Sequence, residues 1–167
     1  MTSTFVAILM GSDSDLPVMQ STITILKTFG IEHEVRVRSA HRTPEAAKAY
    51  VKDAEERGCK VFICAAGLAA HLAGAVAGMT TRPVIGVPVD NGPLQGHDAL
   101  LSTVMMPGGI PVATVAIGKA GAKNAGYLAA QILGVADQSI ADKVKAERVA
   151  NAKALLAKDE AMQAKLS

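Results

Sequence analysis

Residues 61–89 read VFICAAGLAAHLAGAVAGMTTRPVIGVPV. Two runs within it, VFICAA at 61–66 and VIGVPV at 84–89, are almost continuously apolar. A strand with one wet face alternates apolar and polar side chains, whereas a strand covered on both faces reads as an unbroken apolar run. Between the two runs lies a helix-compatible segment at 69–79, entered through Gly67 and a pair of alanines. Strand, small-residue turn, helix and strand make a βαβ unit, in which the strands run parallel and the crossover is right-handed.

The same alternation extends in both directions. FVAILM (5–10), EVRVR (34–38) and VATVAI (112–117) are further β-rich runs, and 16–29, 44–57, 98–105 and 120–133 are compatible with helices. Five strands alternating with helices predict an α/β fold: a parallel five-stranded sheet in a three-layer αβα sandwich. The 167 residues favour one domain, 1–167, with its core at about 5–135. The tail at about 138–166 has no Gly or Pro and is rich in Ala, Lys and Glu. Ile140, Val144, Leu155, Met162 and Leu166 give it a loose apolar stripe. Such a helix either packs on a neighbouring subunit or covers its own sheet edge.

Composition narrows the function classes. Half the chain is apolar but only 3% is aromatic, so Gly and Ala supply much of the bulk and backbones should pack closely. A scattered net charge of +2 lacks the clustered basic face of a nucleic-acid binder. Cys59 and Cys64, on one apparent strand, are expected on opposite faces as buried free thiols in a reducing compartment. No apolar run approaches membrane-spanning length, and the first residues lack a signal peptide's basic start and apolar centre. The expectation is a cytoplasmic protein without a membrane partner.

In an open parallel sheet, ligands bind beyond the carboxyl ends of the strands, where strand order reverses. Four of the predicted strands end in GSDSDLPVM (11–19), SAHRTPE (39–45), GLAAHLAG (67–74) and DNGPLQGHDALLS (90–102). All four carry glycine, small hydroxyls or polar groups of little bulk. In the first, amides at a helix start suit an anion, Ser12 and Ser14 add donors, and Asp13 and Asp15 can accept from sugar hydroxyls. An N-cap cluster explains the same residues. In the second, Thr43 and Pro44 suit a helix start, while Arg42 suits a phosphate, Ser39 supports it, and His41 can give and take a proton. Gly67, Ala69 and Ala70 would let a flat ligand lie on the backbone, though tight helix packing also favours small residues. His33, His41, His71 and His97 show no HxxxH spacing and there is no Cys-x-x-Cys, so no metal site is expected.

GSDSDLPVM, RVRSAHRTPE, AAGLAAHLAGAVAGMTTRPVIGVPV and LLSTVMMPGGIPVATVAI together resemble the PurE family of de novo purine biosynthesis, in order and nearly without gaps from about residue 5 to 135. The resemblance implies a flavodoxin-like fold, a homo-oligomer (typically an octamer) with active sites between subunits, and a C-terminal helix that contributes to assembly. DALLSTVMMPGGIPVATVAIGKAGAKNAGYLAAQIL looks like the branch of isomerases that convert 5-(carboxyamino)imidazole ribonucleotide to 4-carboxy-5-aminoimidazole ribonucleotide. The other branch carboxylates aminoimidazole ribonucleotide with carbon dioxide. His97 stands where that isomerase branch usually has an aliphatic residue, and Met105 where glutamine is frequent.

By this resemblance His41 is the acid/base, Ser39 and Arg42 hold the phosphate, and Asp15 binds the ribose hydroxyls with Ser12 at the same end. Ala66 and Gly67 lie along the base, and His71 and Ser14 lie near the migrating carboxylate. Asp13, Ala40, Leu68, Ala69 and Leu72 complete the implied substrate-binding set, with no metal or cofactor and with carbon dioxide held as an enclosed intermediate. The reading from another class is a flavodoxin-like signalling or nucleotide-binding module without catalysis, such as a receiver domain. A receiver would need an aspartate after the third strand, and AAGLAAH supplies none, although Lys119 follows the fifth.

Overall fold

The computed structural model describes residues 4–166, so positions 1–3 and 167 of the expected domain lie outside the described residues. Five strands, β1 (Phe5–Met10), β2 (His33–Val37), β3 (Cys59–Gly67), β4 (Val84–Val89) and β5 (Ala113–Thr114), form one parallel sheet in the order β2-β1-β3-β4-β5. The helices are α1 (Leu16–Phe29), α2 (Pro44–Arg57), α3 (Leu72–Ala77), α4 (His97–Val104), α5 (Gly118–Gly134) and α6 (Gln138–Leu166). From β1 the chain builds outward to β2, then returns to add β3 on the other side. The direction therefore reverses between β1 and β3, and the crevice opens at their carboxyl ends, beside Gly11 and Gly67.

All six residues of β1 and of β4 are buried, as unbroken apolar runs require. Successive side chains of β1 feed two cores. Val6, Ile8 and Met10 pack with Met19, Leu26, Ala125 and Ala129 of α1 and α5, while Phe5, Ala7 and Leu9 pack with Val51, Ala54, Leu72 and Val76 of α2 and α3. This is the three-layer arrangement predicted from the alternation of elements. Helices α1 and α2 begin and end where the sequence places them. Each stops at a glycine, Gly30 (φ 70°) and Gly58 (φ 107°), in the left-handed conformation that ends a helix at little steric cost.

Three expectations are revised. The predicted 69–79 helix contracts to Leu72–Ala77, because Leu68 turns the chain at φ 56° and leaves 68–71 as a loop over the crevice. The predicted fifth strand contracts to two residues, because the backbone leaves the sheet edge towards Gly118 (φ 70°) and the start of α5. Cys59 and Cys64 are free and buried, but both face the α2/α3 core. The pairing of β3 with β1 slips between Phe5 and Val6, with Cys59 opposite Phe5 and Val61 opposite Val6. Lys60 is the extra residue, and an extra residue shifts the alternation by one.

The tail forms one long helix, α6. Its first turns lie over α5 and α1, not over a sheet edge: Val144 is buried, Lys143 Nζ donates to Phe29 O at 2.9 Å, and Tyr127 Oη donates to Glu147 Oε1 at 2.7 Å. Leu155, Leu156, Met162 and Leu166 further along are at least half exposed. No helix among the described residues is long and apolar enough to cross a membrane.

Candidate active site

The first wall of the crevice is the turn from β1 into α1. Ser12 caps a 3-10 turn, Asp13–Asp15: Ser14 N donates to Ser12 Oγ at 3.3 Å, and Ser12 N donates to Asp15 Oδ2 at 3.0 Å. The reciprocal bonds form a capping box, so the helix-start reading of GSDSD holds. Asp13 is spent locally, accepting from Ser12 Oγ and from Ser14 N at 3.1 Å each.

The second wall is the loop after β2, and its bonds differ from those a simple cap would make. Thr43 stands at the N-cap of α2 but makes no side-chain cap bond. Its hydroxyl accepts from Ser39 N at 2.9 Å and donates to Ser39 O at 3.1 Å, folding 39–43 on itself. Arg42 N donates to Ser39 Oγ at 3.1 Å, which leaves the Ser39 hydroxyl proton free to donate elsewhere. Arg42 Nη2 donates to Gly11 O at 2.7 Å, so the guanidinium bridges the ends of the first two strands.

The third wall follows β3. His41 Nε2 and His71 Nδ1 are 2.8 Å apart and the rings meet edge to face, so one nitrogen donates and the other accepts. Gly67 lies where Asn91, arriving from the end of β4, crosses the backbone. A Cβ there would stand 1.7 Å from Asn91 Oδ1.

Together these walls enclose a cleft of about 470 Å³. Ser12, Ser14, Asp15, Ser39, Ala40, His41, Arg42, Ala66, Gly67, Leu68, Ala69, His71 and Leu72 line it as expected from the sequence, whereas Asp13 and the buried Ala70 stay outside the lining. His97 bonds back to Leu94 O through Nδ1 at 3.0 Å, Met105 is 78% exposed, and neither lines the cleft of its own chain. Gly11 and Asn91 line it and were not singled out. Gly11 sat inside a quoted motif. Asn91 likewise sits inside a quoted strand-end segment, DNGPLQGHDALLS, where nothing sets its amide apart. Among the described residues, no group of three His, Cys, Asp or Glu side chains could hold a metal ion.

The cleft is chemically polarised. Arg42 and Ser39 offer donors to an anion, whereas the Ser14 hydroxyl donates to Ser12 Oγ at 2.9 Å and the Ser12 hydroxyl to Asp13. The two imidazoles offer proton transfer, and Ala40, Ala66, Gly67 and Ala69 leave room for a flat ring. Asp15, 1% exposed, faces the same space. Burial raises its pKa, against the nearby backbone amides of Ser12 and Gly11 and the Arg42 charge, which lower it. A carboxyl raised in the folded state binds protons there preferentially, so stability falls as pH climbs from its unfolded value, about 3.9, through the folded one. Asp15→Asn should remove that slope. Thermal melts should show the variant gaining on the parent from acid to neutral pH, and a difference that does not change with pH would exclude this effect.

Comparison with known proteins gives this architecture a lineage. A family model described as AIR carboxylase matches residues 5–154. An N5-carboxyaminoimidazole ribonucleotide mutase from Thermotoga maritima is 59% identical over 140 residues, 84% of this chain and 81% of that one. A chloroplastic phosphoribosylaminoimidazole carboxylase from Vigna aconitifolia is 53% identical over 142 residues, 85% of this chain but 25% of its own length. The crystal structure of Treponema denticola PurE superposes with a TM-score of 0.85 at 36% identity, covering 94% of this chain and 97% of that one. With the match running through every strand of the sheet and every wall of the cleft, the chain belongs to the AIR carboxylase, or PurE, family.

Proposed function

We propose that this chain is the mutase of that family, an isomerase of purine biosynthesis that converts 5-(carboxyamino)imidazole ribonucleotide to 4-carboxy-5-aminoimidazole ribonucleotide. The observation that carries the reading is the placing of His41, paired to His71 at 2.8 Å, in the cleft that also presents Arg42 and Ser39. Arg42 and Ser39 hold the phosphate, Asp15 and Ser12 the ribose, and Ala66 and Gly67 lie along the imidazole ring. Ser14 and His71 lie towards the carboxylate.

The chemistry then closes on one imidazole. The bond between the exocyclic nitrogen and the carboxylate breaks, releasing carbon dioxide, and His41 delivers a proton to that nitrogen. The electron-rich ring carbon attacks the retained carbon dioxide and forms a C–C bond. His41 removes the hydrogen from that carbon, the ring regains aromaticity, and the histidine returns to its starting state. No net proton, electron or other reactant is consumed. The small side chains of Ala66 and Ala69 and the bare Gly67 suit enclosure of a three-atom gas away from water, and remote phosphate binding holds the ring in register during the transfer.

The proposal extends to residues 1–167 as one domain, working in the cytoplasm as a homo-oligomer, with an octamer the family expectation. The exposed apolar side chains of distal α6 support packing against a neighbouring subunit. The carboxylase is the second reading, favoured by the similarity to the Vigna aconitifolia protein. Purified protein offered the carbamate, or aminoimidazole ribonucleotide with bicarbonate and no ATP, separates the two. Turnover of the carbamate is expected; efficient turnover of the second mixture would reassign the chain to the carboxylase branch.

A further inference from the structure

We infer that Asn91 is a positioning residue for ribose recognition, acting through Asp15. The inference rests on the reading of Asp15 as the acceptor for the ribose hydroxyls. Asp15 is fixed from two sides. Ser12 N donates to its Oδ2 at 3.0 Å from the turn before α1, and Asn91 Nδ2 donates to its Oδ1 at 3.1 Å from the loop after β4. These donors come from strand ends on either side of β3. A carboxylate with one donor on each oxygen cannot rotate freely about its last bond, and each oxygen keeps a lone pair for a further donor. A vicinal diol needs such an acceptor, because two adjacent hydroxyls can share a fixed pair of oxygens.

The end of β3 is shaped to let Asn91 through. A Cβ on Gly67 would lie 1.7 Å from Asn91 Oδ1 and 2.6 Å from its Cγ, so any larger residue would push the amide out of its place. Gly67 therefore serves two neighbours at once: the ring of a ligand in the cleft and the amide that steadies Asp15. The neighbouring Gly92 is crowded in the same way, since a Cβ there would stand 2.5 Å from Leu68 Cδ2.

A hydrogen bond to a charged group is worth about tenfold or more in binding. In the full-length protein turning over 5-(carboxyamino)imidazole ribonucleotide, Asn91→Ala should raise KM about tenfold and leave kcat within about threefold. Asp15→Asn should raise KM at least as much, and the double variant no more than Asp15→Asn alone, because the amide acts through the carboxylate. With the 2′-deoxy form of the same substrate, the penalty from Asn91→Ala should largely vanish. Multiplying penalties, or an Asn91→Ala penalty as large on the deoxy substrate, would overturn the inference, as would an unchanged KM. If the parent protein does not turn over the carbamate at all, the mutase reading fails separately. The contact is then judged on the ligand-free protein, by the carboxyl ¹³C resonance of Asp15, assigned with Asp15→Asn. Asn91→Ala should shift that resonance, and an unmoved resonance would overturn the contact.

Discussion

His41→Asn should bind the nucleotide and fail to turn it over, with kcat down roughly a thousandfold, the middle of the range for loss of a positioned general acid or base. Asparagine is close to the imidazole in size and can still hydrogen bond, but it does not exchange a proton near neutral pH. The variant therefore separates proton transfer from the filling of space. The proposed cycle asks His41 to donate once and accept once, so both halves stop together. Single-turnover measurements with the carbamate would show neither release of carbon dioxide by the enzyme nor formation of the C–C bond, while equilibrium binding of the product nucleotide stays near that of the parent. Near-normal turnover would remove His41 from its role. His71, 2.8 Å away, would then be the first alternative proton carrier.

Arg42→Ala should act on the other parameter, raising KM by roughly a hundredfold with a much smaller change in kcat. Charge-assisted contacts from guanidinium to phosphate are among the strongest available to a surface side chain, and loss of such a bond to a charged group sits at the upper end of hydrogen-bond effects. Arg42→Lys should recover only part of the loss, since an ammonium carries the charge without the planar fork. Part of the Arg42→Ala effect will come from the scaffold, because Nη2 also ties Gly11 O at 2.7 Å. Substrate-saturation curves for the three proteins provide the check. A variant that loses kcat while keeping KM would place the phosphate elsewhere.

The site was unusually legible, because its residues cluster in short segments at strand ends. The start of helix α2 is marked in the sequence by Pro44, a local signal that acts over a single turn of chain. Strand β5 and helix α3 are shorter than their apolar runs predict, for the opposite reason. Apolar character says that a residue is covered, and does not say whether its backbone is paired in a sheet or turning above a cleft. Ala69 to His71 are helix-compatible residues, and the positive φ of Leu68 makes them a loop. The cysteine faces turn on a single residue, Lys60, whose insertion opposite β1 becomes visible only when two strands are laid side by side.

What the sequence determined by itself is the order of elements, the coverage of the sheet on both faces and the strand ends that carry polar groups. Hydrophobic period, prolines and glycines are properties of neighbours along the chain. What the tertiary structure decided is which of those polar groups meet. The pairing of His41 with His71 spans 30 positions and that of Asp15 with Asn91 spans 76. The strand order β2-β1-β3-β4-β5 brings them within a hydrogen bond of each other. Such contacts depend on how far one backbone stands from another, and Gly67, at the end of β3, supplies the space through which Asn91 reaches Asp15.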